Sequence, residues 1–343
     1  MISFPKTIAS AQAAHGVVRA GGTDLQERRL QGITTGDLVD LRDTAGLDRL
    51  ELDELGLHLG AGLTVQTLAT EPRILEGFPG LAQAAAGLAT PQIRARGTLG
   101  GNVLQEVRCW YYRSPRQVCA KKGGAVCLSR QGDHLYHSCF DLGLCAAPHP
   151  STLALALLVY EAEAELSSGS RLEIPALLGD GHDPRQTHAL PPGELLVALH
   201  LPPAVPGESA AYGRATSRAQ AEWPLVEVIV RLWIDLGKGR HPVAKITDAR
   251  VAMGGVANRP LHLPLVEAAL IGAEPTDEVL ATAAARAAEG ASPLPMTAYK
   301  VKLIPGIVRD VLTRARDAVL PPVVELPAAT PGATPAPPTK ELR

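Results

Sequence analysis

Alternation of apolar and polar residues marks several predicted strands along this 343-residue chain, and segments with helical periodicity separate them. Residues 50–61, LELDELGLHLGA, alternate on both sides of a turn near residues 54–56 and predict a hairpin. Short connections between strands and helices are typical of an α+β fold. Further strands are predicted at 17–20, 37–41, 159–166, 195–201, 225–234 and 246–253, and helices at 8–14, 24–32, 65–70, 81–88, 151–158, 263–271, 276–290 and 299–319.

A loop rich in Gly, His and Pro, GDGHDPRQTHALPPGE, begins near Asp180 and predicts a domain boundary. The first domain spans 1–178, with subdomains of about 1–55 and 56–178. The second spans 190–320 and contains strands, then helices, with a charged loop through Arg214 and Arg218 and a hairpin at LGKGRHP. Residues 321–343 are proline-rich without periodicity and predict a disordered tail.

The composition and the N-terminal sequence argue against several classes of protein. The formal net charge is −2 and no basic cluster occurs, which argues against nucleic-acid binding. No apolar run reaches the roughly 18–20 residues that a membrane span needs. The N-terminus, MISFPKTIASAQAA, lacks the charged and apolar regions of a signal peptide, so we expect a cytoplasmic protein, periplasmic only if it is exported with a partner.

All five cysteines lie in the loop 105–146, immediately after a glycine-rich turn. They are separated by nine, seven, eleven and five residues, so none has the CxxC spacing of zinc ribbons or ferredoxins. From the residues alone a 4Fe-4S cluster, a structural zinc site and buried free thiols remain open, while the odd count disfavours disulfides. The aromatic run at 110–112 could shield a cluster from water. The cysteines are Cys109, Cys119, Cys127, Cys139 and Cys145.

Two glycine segments suit an anionic cofactor. In AGGTDL the paired glycines follow a predicted strand, precede a helix and can present backbone N–H groups to a phosphate. In GTLGGN the glycines allow close backbone approach, and Thr98 and Asn102 add polar side chains. Neither segment is a GxGxxG fingerprint, so a Rossmann fold is not indicated. A purely structural corner is the alternative for the first segment.

The segments RAGGTDLQERRLQG, GAGLTVQTLA and TPQIRARGTLGGNVLQ resemble the FAD-binding (medium) subunit of the xanthine dehydrogenase and aldehyde oxidoreductase family of molybdenum hydroxylases. RCWYY with the spaced cysteines resembles the subgroup with an inserted 4Fe-4S loop, as in 4-hydroxybenzoyl-CoA reductase and the periplasmic aldehyde oxidoreductase. The resemblance implies a two-subdomain FAD-binding domain of the PCMH, vanillyl-alcohol-oxidase-like type. A C-terminal α+β domain of the CO dehydrogenase flavoprotein type is expected to follow.

The resemblance also implies the site residues. The cluster ligands would be Cys109, Cys119, Cys127 and Cys145, because CAAPHPSTLALAL resembles the segment with the last ligand in the aldehyde oxidoreductase subgroup, which leaves Cys139 dispensable. Thr152 stands where relatives often carry an aspartate near the flavin, so we expect Thr152→Asp to be tolerated. The FAD-binding residues would be Ala20, Gly21, Gly22, Thr23, Asp24, Leu25, Thr98, Gly100, Gly101 and Asn102.

The implied function is electron transfer without substrate chemistry of its own. In this family a molybdopterin-binding large subunit acts on the substrate, and a small subunit carries two 2Fe-2S clusters. The flavin subunit passes electrons to an external acceptor, within a heterotrimer or its dimer. Two alternatives come from other classes: a zinc-binding structural or assembly subunit without flavin, and a stand-alone flavin oxidase.

Overall fold

A computed structural model describes residues 1–238 and 243–319. The chain begins with a parallel three-stranded sheet in the order β1-β3-β2. Helix α2 follows β2 after the first glycine segment and leads back to the central strand β3. These elements are β1 Ile2–Ser3, α1 Ile8–Ala13, β2 Val17–Arg19, α2 Leu25–Leu30 and β3 Leu38–Asp40.

The second sheet has five strands in the order β4-β5-β8-β6-β7, with every neighbouring pair antiparallel. The predicted hairpin is its first pair, and the fully buried Leu57 and Leu59 face the core. The strands are β4 Leu50–Asp53, β5 Gly56–Gly60, β6 Glu163–Leu166, β7 Arg171–Glu173 and β8 Leu196–Leu201. The helices around it are α3 Val65–Thr70, α4 Pro72–Gly77, α5 Pro79–Ala86, α6 Pro91–Arg94, α7 Leu99–Val103, α8 Thr152–Val159 and α9 Ile174–Leu178.

The position of strand β8 differs from the domain organisation predicted from the sequence. Its sequence predicts a strand correctly, but we placed it in the C-terminal domain, whereas it pairs with β5 and β6 of the second sheet. Alternation alone shows which face of a strand is buried and not which sheet buries it. After the loop at residues 180–195 the chain therefore adds one more strand to the second sheet, and only then enters the C-terminal domain.

Helix α8 occupies the centre of the protein. Its sequence, TLALALLV, is apolar on every side, and all its residues except Leu158 are buried. A helix without a polar face needs neighbours all round. It packs against α5 and α7 on one side and against the C-terminal strands on the other. Position 152, at its first turn, is therefore completely enclosed.

The C-terminal domain is an antiparallel sheet in the order β12-β11-β10-β9, with two helices packed on it and a third helix packed against those two. We expected a charged loop through Arg214, but a strand ends at Ala215, held by its pairing with β10. Its small and polar residues carry little strand signal of their own. The elements are β9 Glu208–Ala215, β10 Val226–Asp235, β11 Lys245–Gly254, β12 Leu261–His262, α10 Pro264–Leu270, α11 Asp277–Ala285 and α12 Ala298–Asp317.

Two sequence predictions fall wholly or partly outside the described residues. The predicted tail at 321–343 lies outside them, as does part of the predicted hairpin turn, residues 239–242. Within the described ranges no helix combines the length and apolarity needed to cross a bilayer.

Candidate functional site

The two glycine segments, about 75 residues apart in sequence, lie side by side. A Cβ at Gly21 would stand 1.9 Å from the carbonyl oxygen of Arg96, so only glycine allows the two backbones this close. Thr23 lies near Gly97 as well, with its hydroxyl at an ordinary contact distance of 3.7 Å from a Cβ built at that glycine. Strand β2 and the turn before α7 are thus joined into one surface.

Four of the ten residues predicted to bind FAD are buried and hold the fold. Leu25 belongs to the core, and Gly100 packs so closely on Ala61 that a Cβ would be 2.9 Å from its methyl group. Thr98 caps α7 by accepting a hydrogen bond from the N–H of Gly101 at 3.2 Å. The fourth is Asp24, described below.

The remaining six predicted residues are at least partly exposed, and this surface is where a ligand could lie along the two segments. Asn102 is half-buried, and its Oδ1 accepts hydrogen bonds from the Ser151 hydroxyl at 2.8 Å and the Leu153 N–H at 3.2 Å. The side-chain amide oxygen of Asn102 therefore fixes the start of α8. The others are Ala20, Gly21, Gly22, Thr23 and Gly101.

The Asp24 carboxylate does not face this surface. It binds Arg113 at 2.6 Å, Arg28 at 3.0 Å and Arg108 at 3.2 Å, with its side chain 11% exposed. Burial opposes ionisation of Asp24, but the guanidinium groups, Arg108 foremost, outweigh it and hold the pKa of this carboxyl below its usual value. Because Arg108 and Arg113 flank Cys109, this carboxylate ties the first glycine segment to the cysteine loop.

Four of the five cysteines line one small cavity. Cys119 and Cys127 are buried, whereas Cys109 and Cys145 are partly exposed. The loop contains only two short 3-10 helices, and it is held instead by its side chains. Arg130, for example, binds both oxygens of Asp141 at 2.9 and 2.6 Å. The cavity is lined by Val107, Cys109, Tyr111, Tyr112, Cys119, Ala120, Lys121, Cys127, Leu128, Ser129, Cys145 and Ala147.

Cys139 is not among the residues that line this cavity. It is fully buried in the apolar core of the C-terminal domain, where its N–H donates to the carbonyl of Val256 at 2.8 Å. The neighbouring Phe140 belongs to the same core. The structure therefore groups the four cysteines that the resemblance selects and separates the fifth.

The cavity environment decides the protonation of these thiols in the absence of metal. Burial raises the pKa of Cys109 to about 11, and it also raises the pKa of Cys145 above its usual value. Both groups are therefore thiols at neutral pH, and coordination to a metal would deprotonate them. The buried Lys121 lines the same cavity, and its positive charge partly offsets the rise in the pKa of Cys145.

Thr152 does not face a cofactor surface. Its side chain is fully buried, and its hydroxyl donates to Oε2 of Glu227 on β10 at 2.7 Å. The hydroxyl of Tyr212 donates to the same oxygen at 2.8 Å. This arrangement contradicts the premise of the expectation for Thr152→Asp, since an aspartate would bring a second carboxyl group against buried Glu227.

Sequence reasoning missed the side chains that support the cysteine loop. His137 and Ser129 each approach a cysteine sulfur, and Arg108 and Arg113 reach Asp24 from more than 80 residues away. The loop sequence contains all four residues, but their contacts depend on long-range packing. The pairing of these arginines with Asp24, just before α2, leaves no local pattern.

Comparison with known proteins identifies the family. Residues 5–204 match the family described as the FAD binding domain in molybdopterin dehydrogenase, and residues 210–315 match the CO dehydrogenase flavoprotein C-terminal domain. The aldehyde oxidoreductase FAD-binding subunit PaoB of Escherichia coli (strain K12) is 32% identical over 307 residues, covering 87% of this chain and 90% of that protein. The 6-hydroxypseudooxynicotine dehydrogenase complex subunit alpha of Paenarthrobacter nicotinovorans is 24% identical, covering 81% and 79%.

Solved structures share the fold. Reconstituted CO dehydrogenase from Oligotropha carboxidovorans contains a chain with a TM-score of 0.69 at 22% identity, covering 92% of this chain and 96% of that one. Quinoline 2-oxidoreductase from Pseudomonas putida 86 contains one with a TM-score of 0.69 at 20% identity, covering 93% and 97%. These similarities extend over both domains. The chain therefore belongs to the FAD-binding subunits of the molybdenum hydroxylase family, which are oxidoreductase flavoproteins.

Proposed function

We propose that this chain is the electron-transfer flavin subunit of a three-subunit molybdenum hydroxylase and that it also carries a 4Fe-4S cluster. The observation that carries the cluster assignment is the convergence of Cys109, Cys119, Cys127 and Cys145 on one cavity. The assembled enzyme would oxidise an aldehyde, the substrate class in the name of the Escherichia coli relative, or an aromatic N-heterocycle. A molybdopterin-binding large subunit and a 2Fe-2S small subunit would be its partners.

The chain's own residues would bind FAD along the surface where the glycine segments meet. Close backbone contact at Gly21 builds that surface, and exposed Thr23 and Gly101 border it. The positive φ of +75° at Gly22 turns the backbone after β2. When bound, FAD accepts electrons from a one-electron carrier and delivers them to an external acceptor.

A cluster can be held by more widely spaced cysteines than a single zinc ion can. Zinc with Zn–S distances of about 2.3 Å would hold its tetrahedral sulfur ligands only about 3.8 Å apart. Within residues 1–238 and 243–319 no three His, Cys, Asp or Glu side chains are grouped closely enough to hold one metal ion. In a 4Fe-4S cluster each thiolate has its own iron, so the sulfur atoms can stand further apart around the cavity.

Metal analysis of anaerobically purified protein tests the cluster. We expect about four iron and four sulfide per chain. Cys145→Ser should lower the iron content or alter the low-temperature paramagnetic signal of the reduced cluster, whereas the matched change Cys139→Ser should leave both intact. Zinc without iron, or loss of the signal only in Cys139→Ser, would refute the assignment.

Co-expression with the neighbouring gene products tests the electron-transfer role. We expect the chain to co-purify with a molybdenum-containing subunit and a 2Fe-2S subunit. Substrate should then reduce the flavin only in the assembled complex. Turnover by the isolated flavin subunit would instead identify a stand-alone oxidase.

A further inference from the structure

Two of the four cavity sulfurs have a buried side-chain donor beside them. The Nε2 atom of His137 lies 3.2 Å from Sγ of Cys109, and the hydroxyl of Ser129 lies 3.1 Å from Sγ of Cys127. Ser129 is fully buried and His137 is 2% exposed. Both donors are therefore shielded from solvent in the wild-type protein.

The direction of both hydrogen bonds follows from the chemistry of a ligated sulfur. A thiolate has no proton, so it only accepts, and the hydroxyl of Ser129 must donate to Cys127. His137 donates to Cys109 when its proton is on Nε2. Its Nδ1 is buried and has no hydrogen-bond partner in the described part of the chain. Within that part, the imidazole ring therefore makes its polar contact through Nε2, with Sγ of Cys109.

Packing holds the imidazole in place. The ring of Trp110 meets that of His137 edge-on, with centroids 5.1 Å apart, and Tyr111 lies 6.5 Å away. The Tyr111 hydroxyl in turn accepts from the N–H of Asp133 at 2.7 Å and closes over Gly132. The aromatic run beside the first cysteine thus fixes a donor as well as covering the cavity.

Hydrogen bonds to ligand sulfurs are one of the factors that set the reduction potential of an iron-sulfur cluster. A cluster gains negative charge when it is reduced, so a donor stabilises the reduced form more than the oxidised form. The effect is larger where the surroundings are dry. Donors at Cys109 and Cys127 should therefore raise the potential.

We propose that Ser129 and His137 are positioning residues that raise the reduction potential of the cluster by donating hydrogen bonds to Cys127 and Cys109. The inference rests on the proposed function, because it requires a cluster in this cavity. It assigns to these two residues an effect on electron affinity that is separate from holding the loop together.

The test is a redox titration of the assembled enzyme, followed by the paramagnetic signal of the reduced cluster. Ser129→Ala removes one hydroxyl and should lower the equilibrium constant for one-electron reduction about tenfold, a shift of about 59 mV to lower potential. Ser138→Ala is the matched control, since Ser138 is also buried in the loop and its hydroxyl has no hydrogen-bond partner among residues 1–238 and 243–319. It should leave the potential unchanged.

A second pair of variants separates hydrogen bonding from packing. His137→Gln retains an N–H donor and should stay within about threefold of the wild-type constant, whereas His137→Leu should lower it about tenfold. An unchanged potential in Ser129→Ala with full iron, or equal shifts in Ser129→Ala and Ser138→Ala, would overturn the inference. Wild-type protein without iron would refute the proposed cluster itself.

Discussion

Asp24→Asn should loosen the connection between the glycine segment and the cysteine loop. The wild-type carboxylate binds Arg113 at 2.6 Å, Arg28 at 3.0 Å and Arg108 at 3.2 Å. The Arg113 side chain is only 6% exposed. Asparagine keeps the shape and one acceptor oxygen but removes the negative charge that these guanidinium groups share.

The magnitude follows from burial. Removing one partner of a buried ion pair costs roughly 3–5 kcal/mol, because the other charge stays desolvated. Asparagine retains one hydrogen bond, and Glu27 still faces Arg108 at 2.8 Å and Arg113 at 3.3 Å. We therefore expect the lower end, a loss of about 3 kcal/mol in the free energy of unfolding.

The assay is urea unfolding at pH 7, together with iron and flavin analysis of the purified protein. Glu27→Gln is the matched control, because Glu27 contacts the same arginines but is 46% exposed. An exposed pair contributes only about 0–1 kcal/mol. We expect Asp24→Asn to lower both cofactor contents and Glu27→Gln to lower neither.

The difference in the free energy of unfolding between wild type and Asp24→Asn has a defined pH dependence. The pKa of Asp24 is held below 3.8 in the folded state, so its stabilisation is present above that pH and is lost as pH falls through the folded pKa. The difference between wild type and Asp24→Asn should therefore shrink below about pH 3.8. A difference under 1 kcal/mol at pH 7, or one that is unchanged at pH 3, would refute the reasoning.

Three further predictions concern flavin binding and the domain core. Gly101→Val should sharply lower flavin content in a folded protein, whereas Gly306→Val, in open space on α12, should not; flavin analysis decides. Thr152→Asp should destabilise the protein in urea by a few kcal/mol, roughly 2–4, because it faces buried Glu227, and tolerance would refute this contact. Burial lowers the pKa of Lys300 to about 8, so wild type should gain urea stability relative to Lys300→Met between pH 8 and 10.5.

Local sequence patterns predicted many of the elements because those patterns reflect short-range physics. Helix α3 has the predicted bounds, Val65–Thr70, with Thr64 as its cap, and the hairpin of β4 and β5 follows the predicted alternation. The glycine segments were recognisable because close backbone approach requires glycine. The comparisons bear out the family and the fold class that those segments implied.

Contacts between distant residues were beyond local patterns. Strand β8 has a clear strand sequence, yet its partners lie 138–144 residues upstream in β5 and 30–37 residues upstream in β6. Strand β9 forms because β10 pairs with it along its whole length, although its own residues have little strand propensity. Pairing energy and burial, which depend on the whole fold, decided both.

The order of residues along the chain supplies two glycine segments and five cysteines, and these segments indicate the family. How these groups are used depends on which of them the folded chain brings together. It gathers four cysteines around one cavity and buries Cys139 in the C-terminal core, and it pairs the Asp24 carboxylate with Arg113. It also places the Thr152 hydroxyl in a buried hydrogen bond to Glu227. The physical reason is that burial and charge neutralisation act between groups close in space, whatever their distance along the chain.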